Sequence, residues 1–193
     1  MGGGALSGPL PFATAQDWSN WLAANHAATP EVWLKLYRKD SGLASINWEQ
    51  AVIEALCWGW IDGLKRSGDE TYWLQRFTPR RNGSGWSQKN CGHVERLIAD
   101  GRMQAPGLAR VLAAKADGRW DAAYAGSKAA QVPADFLAAL AAGSAIARAG
   151  FAALNRQNLF AIYSRVTTAK RPETRAKRIA DLVAMLERGE KLY

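Results

Sequence analysis

Trp18, Trp21 and Leu22 recur at helical spacing behind Thr14 and Asp17, a threonine with an acid three residues on. Residues 14–25 are therefore predicted to form an amphipathic helix with a capped start. Pro30 breaks that pattern. Val32-Trp33-Leu34-Lys35-Leu36-Tyr37-Arg38 then alternates and is rich in β-branched and aromatic residues, which predicts a strand. Asp40-Ser41-Gly42 predicts a turn. Asn47 followed by Gln50 repeats the capping-box pattern, and residues 48–60 are apolar on nearly every side, as in a buried helix. Gly63 is placed to end the element that carries Ile61 and Asp62. Ile61 to Arg66 and Tyr72 to Thr78 flank the turn-rich tetrad Ser67-Gly68-Asp69-Glu70 and predict a hairpin. On its second strand Tyr72, Leu74, Arg76 and Thr78 share one face, and Trp73, Gln75 and Phe77 the other. Pro79 ends the ladder.

Past the loop Asn82-Gly83-Ser84-Gly85 the period changes to helical throughout. Ser87 or Asn90 caps a helix holding Val94, Leu97 and Ile98, which stops at Gly101. Pro106 opens a helix that closes near Gly118, and Pro133 opens one ended by Gly143. Segments 145–154 and 157–169 have helical apolar spacing, and Pro172-Glu173 starts a last helix with Ile179, Leu182, Val183 and Leu186 inward. The fold class predicted is α+β: a small antiparallel sheet with helices in the N-terminal half and an all-helical C-terminal half. The expected organisation is a flexible segment over 1–11, an α/β subdomain over 12–103 and a helical subdomain over 104–193 packed on the first.

Length and composition support one sizeable core or two small ones: 193 residues, 48% hydrophobic. Two cysteines, Cys57 and Cys91, with no C-x-x-C spacing, argue against a disulfide framework or a zinc site. His26 and His93 are isolated from any acid or thiol pattern, so no metal and no cofactor is expected. No apolar run approaches a transmembrane length and no secretory signal precedes the first helix, so a cytoplasmic protein without membrane insertion is expected. The net charge of +8 is uneven. Residues 1–103 hold 11 Lys/Arg against 10 Asp/Glu, and residues 104–193 hold 14 against 7.

Two cationic groups and one acid stand out. Asp62 lies in an apolar, aromatic context, where a carboxylate must be paired, protonated or functional. It is read either as an ion-pair partner of Lys65, Arg66 or Arg76, or as a ligand or general acid/base. Arg76, Arg80 and Arg81 offer planar, bidentate donors for a carboxylate or phosphate. The Gly83-Ser84-Gly85 loop leads to Ser87 and a helix start whose backbone N–H groups attract anions. Trp60 and Trp86 are the tryptophans expected to line a cleft. Cys57 is expected to be buried and inert, and Cys91, near a helix start, to have a lowered pKa. In the second half, Lys170, Arg171, Arg175, Lys177 and Arg178 crowd the start of the last helix against its dipole, a pattern that suits an external anion or nucleic acid as well as a solvated face.

Several blocks together resemble a bacterial family, the YdeI/OmpD-associated or bacteriocin-protection proteins. They are Val32-Trp33-Leu34-Lys35-Leu36-Tyr37, Glu54-Ala55-Leu56-Cys57-Trp58-Gly59-Trp60-Ile61-Asp62-Gly63 and Leu74-Gln75-Arg76-Phe77-Thr78-Pro79-Arg80-Arg81. Trp86-Ser87, Asn90, Val94-Glu95-Arg96-Leu97-Ile98, Gly101-Arg102-Met103 and Thr168-Ala169-Lys170-Arg171-Pro172-Glu173-Thr174-Arg175 continue them. The resemblance spans about residues 12–190. It implies a role in resistance to bacteriocins or cationic peptides and association with a porin, and it carries no catalytic residue set. The function expected is a stress-associated protein that binds a small anionic ligand between the α/β and helical halves. Asp62, Arg66, Arg76, Arg80, Arg81, Trp86 and Asn90 are its expected lining. The alternatives are a nucleic-acid-binding protein using Lys170, Arg171, Arg175, Lys177 and Arg178, and an enzyme with Asp62 as general acid or base. Catalysis is the least favoured of the three, and the oligomeric state is left open.

Overall fold

The computed structural model describes residues 8–126 and 130–193 and divides into two units, Met1–Ala123 and Tyr124–Tyr193. The Gly-rich start, Met1–Ser7, belongs to the segment expected to be flexible and lies outside the described residues.

The N-terminal unit is built from β1 (Leu10–Pro11), α1 (Ala15–Asn25), β2 (Val32–Tyr37), α2 (Trp48–Cys57), β3 (Trp60–Ser67), β4 (Tyr72–Pro79), α3 (Gln88–Ala99) and α4 (Ala105–Ala116). Both predicted capping boxes form. Thr14 and Asp17 close one at α1, Asn47 and Gln50 the other at α2, each satisfying two of the otherwise unpaired N–H groups of a first turn. α2 ends earlier than the apolar run suggests. Gly59, at φ +72°, turns the chain out of the helix, so Trp60 already belongs to β3. Gly63, expected to end that element, instead lies inside the strand.

The sheet order is β1-β2-β4-β3. β2–β4 and β4–β3 are antiparallel, as the hairpin requires, while β1 pairs parallel to β2 and makes the sheet mixed. One face buries Val32, Leu34, Leu36 and Phe77 against α1 and α2. Trp18 anchors that core: it is fully buried, its Nε1–H donates to the Ala51 carbonyl at 3.0 Å, and its ring lies 5.6 Å from that of Phe77. Such aromatic contacts contribute about 1 kcal/mol beyond the area they bury. The register shifts between Asp62 and Lys65, and the buried Gln75 amide donates to both bulge carbonyls, Gly63 and Leu64, at 3.0 and 3.2 Å.

α4 approaches the end of α2 through glycine. A Cβ on Gly107 would lie 2.8 Å from the Cys57 carbonyl carbon and 2.9 Å from the Leu56 oxygen. Gln104 N–H donates to the Cys57 carbonyl at 3.1 Å in the same contact. Gly59 faces the Pro106 oxygen and the Arg110 side chain equally tightly, at 2.9 and 3.1 Å. This backbone-to-backbone seat fixes where α4 carries its side chains.

The C-terminal unit holds α5 (Ala134–Ala142), α6 (Ala145–Ala152), α7 (Arg156–Thr167) and α8 (Pro172–Glu187) around a core of Phe136, Leu140, Ala147, Ile162, Val166, Ile179, Leu182 and Leu186. α8 begins on Pro172 as predicted. Apart from the bridge residue Tyr124, the regular structure described in this unit is helical, and no described helix in either unit is long and apolar enough to cross a membrane.

Candidate functional site

The end of β4, the loop before α3 and the exposed side of α4 meet in a cleft of about 130 Å³ lined by Arg80, Arg81, Arg110 and Arg119, with Asn82, Trp86 and Asp117. The floor is Trp86, 2% exposed. Arg80, itself buried, stacks its guanidinium 3.7 Å above the Trp86 ring and donates to the Gly85 carbonyl at 2.6 Å. This geometry is rigid and cationic, because a planar guanidinium on an indole face gives up few rotamers to hold its place. Arg110 donates to Asn82 Oδ1 at 2.5 Å. Arg119 pairs bidentately with Asp117 and donates to the Ser84 carbonyl at 2.9 Å. The Gly83-Ser84-Gly85 loop thus presents carbonyls to two arginines, which pin it in place. Ser87 spends its hydroxyl on the Asn90 N–H, capping α3. The Trp86 indole N–H is buried with no acceptor among the described residues.

Of the expected lining, Arg80, Arg81 and Trp86 come together here. Asp62 lies close by on the helix-covered face of β3, paired with Phe77, where its carboxylate accepts from Trp48 Nε1–H at 3.2 Å. Burial raises its pKa above the ordinary carboxylate range, while the Trp48 hydrogen bond and the Arg80 and Lys89 charges pull the other way. Asn90 sits in the first turn of α3. Arg66 and Arg76 do not join them. They project from the sheet face opposite the core, Arg66 over the Trp33 ring at 4.5 Å and Arg76 beside Glu31 at 3.4 Å. Trp60, expected to line a cleft, is a core residue at 1% exposure.

Both cysteines are buried. Burial pushes the Cys57 thiol up to about 11. The lowered pKa expected for Cys91 is corrected: burial, then the Glu95 charge, raises it, and desolvation outweighs the helix start.

His93, set aside on sequence, is buried and ordered by charged neighbours. Its Nδ1 accepts from Arg96 Nη2 at 3.0 Å, since a guanidinium can only donate, so the neutral ring carries its proton on Nε2, which faces Glu49 Oε1 at 3.6 Å. Burial, Lys89 and Arg96 lower its pKa; Glu49 opposes them. These residues line a second, open groove with Asp100 and Arg102, of about 370 Å³. Arg102 there is paired with the buried Glu54. Glu49 stands 44 residues before His93, too far for any spacing rule to join them. Arg110, on the alanine-rich α4, and Arg119, just beyond its end, were missed for the same reason.

The basic start of α8 is partly spoken for inside its own unit. Arg175 pairs bidentately with Asp135, at 2.6 and 2.9 Å, and donates to the Val166 carbonyl at 2.9 Å. Arg178 donates to the Arg165 carbonyl at 2.6 Å and to Thr168 Oγ1 at 3.1 Å. Both donate to carbonyls in the last turn of α7, adding a side-chain donor where helix carbonyls run short of intrahelical partners. Lys170, Arg171 and Lys177 are exposed, Lys177 lying 3.9 Å from Asp181. A groove of about 440 Å³ between α7 and α8 is lined by Ser164, Arg165, Thr168, Arg178 and Asp181. It is roomier than the arginine cleft but has fewer cations. Among the described residues, no group of three or more His, Cys, Asp or Glu is disposed to hold a metal ion.

Residues 10–110 match the family model described as a domain of unknown function (DUF8412). Residues 129–189 match the model described as Bacteriocin-protection, YdeI or OmpD-Associated. Most of the sequence blocks that carry the resemblance therefore fall in the first match, and the block from Thr168 to Arg175 falls in the second. Nothing among curated proteins or solved structures matches the chain. More than half of the chain lies in the first match, so it belongs to the DUF8412 family, and its C-terminal unit is a domain of the bacteriocin-protection, YdeI or OmpD-associated type.

Proposed function

We propose that this bacteriocin-protection-type protein acts in the cytoplasm as a stress-associated anion-binding protein. Its ligand is a small phosphate or carboxylate held in the arginine cleft. One observation carries the reading: four guanidiniums line one small cleft and Asp117 is the single acid among them. Guanidinium forks match carboxylate and phosphate oxygens in pairs, and burial against Trp86 strengthens each contact. The size decides the class. About 130 Å³ suits an inorganic oxyanion or one anionic group of a larger molecule and falls short of the 300 Å³ or more of a typical cofactor pocket.

The test is a thermal-shift titration with inorganic phosphate and pyrophosphate. A ligand at one hundred times its Kd stabilises the native state by about 2.7 kcal/mol. Arg81→Ala and Arg110→Ala should remove that gain while keeping the apo melting temperature near that of the parent. Equal stabilisation of parent and variants would refute the site.

A further inference from the structure

The sheet has a second face, which the anion cleft does not use. Register places Trp33 opposite Arg76, Lys35 opposite Leu74, and Tyr37 opposite Tyr72, with Arg66 of β3 opposite Leu74. These side chains project away from Val32, Leu34, Leu36 and Phe77, and Trp33, Tyr37, Tyr72 and Leu74 lie outside the core cluster of this unit. Three aromatic rings are thus interleaved with three cations on a half-exposed pleated surface. Lys35 Nζ rests 4.2 Å from the Tyr72 ring centroid, Arg66 rests 4.5 Å from that of Trp33, and Tyr37 and Tyr72 meet edge to face at 6.2 Å. Arg76 is under-used: its contact with Glu31 is 3.4 Å long, and its Nε–H has no acceptor among the described residues.

We propose that this face binds single-stranded nucleic acid, with bases stacked on Trp33 and Tyr72 and the phosphates met by Lys35, Arg66 and Arg76. The chemistry selects the occupant. Flat rings offer a stacking surface to any base, and alternating cations match a strand with one negative charge per nucleotide. Trp33 and Tyr37, four residues apart on β2, stand roughly 13 Å from each other, which leaves room for more than one base along the strand. In a duplex the base faces are already stacked on one another, so they are closed to these rings. A neutral sugar would use the rings and gain nothing from the three charges. The cations now parked on the rings exchange an aromatic partner for a phosphate when a base arrives, so no buried charge is stranded in either state.

The experiment is fluorescence anisotropy of a labelled oligothymidine and of a duplex of similar length, titrated with the full chain at two salt concentrations. The single strand should bind, the duplex about tenfold more weakly or worse. Log affinity should fall against log salt with a slope of about −2, from roughly 0.7 per neutralised phosphate and three cations. Trp33→Ala should weaken binding about tenfold. Arg66→Glu replaces an exposed side chain, so it tests the same face even where Trp33→Ala disturbs folding, and it should weaken binding and flatten the salt slope. Absence of binding at low salt, equal affinity for the duplex, or affinity unchanged in both variants would each overturn the proposal. So would a loss that follows Lys170→Ala and Arg171→Ala instead, which would move the contact to α8.

Discussion

Gly107→Ala adds one methyl group to α4 where a methyl group has nowhere to go. The new Cβ would lie 2.8 Å from the Cys57 carbonyl carbon and 2.9 Å from the Leu56 oxygen, with the Cys57 oxygen nearer still. All three are backbone atoms at the end of α2, so no rotamer change relieves the contact and the helices must separate. Overpacking of this kind costs about 1–3 kcal/mol, and a clash with rigid backbone belongs at the upper end. Alanine recovers about 1 kcal/mol through helix propensity. The net expectation is a loss of about 2 kcal/mol. Gly92→Ala is the matched control. Gly92 lies inside α3 with nothing within 4 Å of a built Cβ, so the same exchange should stabilise by up to about 1 kcal/mol. The assay is urea denaturation followed by tryptophan fluorescence. All nine tryptophans fall in Met1–Ala123, so the signal reports that unit alone. Because Arg110 rides on α4 and Arg119 follows it, Gly107→Ala should also weaken phosphate-induced stabilisation with every arginine intact. A Gly107→Ala variant as stable as Gly92→Ala would refute the close seat of α4.

Three other expectations follow from the charged groups. Asp62→Asn keeps an acceptor for Trp48 and removes a charge that burial disfavours, so it should raise the urea midpoint at neutral pH. The folded pKa of Asp62 lies above its unfolded value, so its favourable contribution exists at low pH and is lost as pH rises. The advantage of Asn must therefore shrink on acidification, and a constant difference across pH would count against it. His93 has the opposite sign: its folded pKa is depressed, so the native state loses stability as pH falls below about 6.5, the ordinary histidine value, and His93→Gln should flatten that limb of the stability curve. Arg175→Gln should lower the stability of the C-terminal unit, the lost bond to the Val166 carbonyl alone costing about 1 kcal/mol. Circular dichroism should register this while the tryptophan transition stays in place.

Local chemistry made much of the fold readable. Thr14 with Asp17 and Asn47 with Gln50 fixed two helix starts, and proline marked the start of α8. The period-two alternation of β4 sorted Trp73, Gln75 and Phe77 from Tyr72, Leu74 and Arg76 without error. Two readings failed for a common reason. Gly59 and Gly63 are equally able to end a helix by sequence; Gly59 takes the left-handed turn, and it does so against Pro106 and Arg110, nearly fifty residues downstream. Leu10–Pro11 is too short to show any period and becomes a strand only because β2 offers it an edge. In the site, Arg80, Arg81 and Trp86 were legible because one loop holds them. Arg110 and Arg119 reach the same cleft through the glycine seat of α4, and a glycine's role as a seat is visible only once its neighbour is known.

β3 is an outer strand, and outer strands invite further strands to add to them. Here regular pairing is interrupted: the register shifts between Asp62 and Lys65, and the Gly63 and Leu64 carbonyls meet the amide of Gln75. The bulge also breaks the regular spacing a visiting strand would need to match. The exposed Leu64, a hazard on a long flat edge, lies instead on this irregular segment. Replacing Gln75 would therefore turn a finished margin into an open one, with self-association at high concentration as its outward sign.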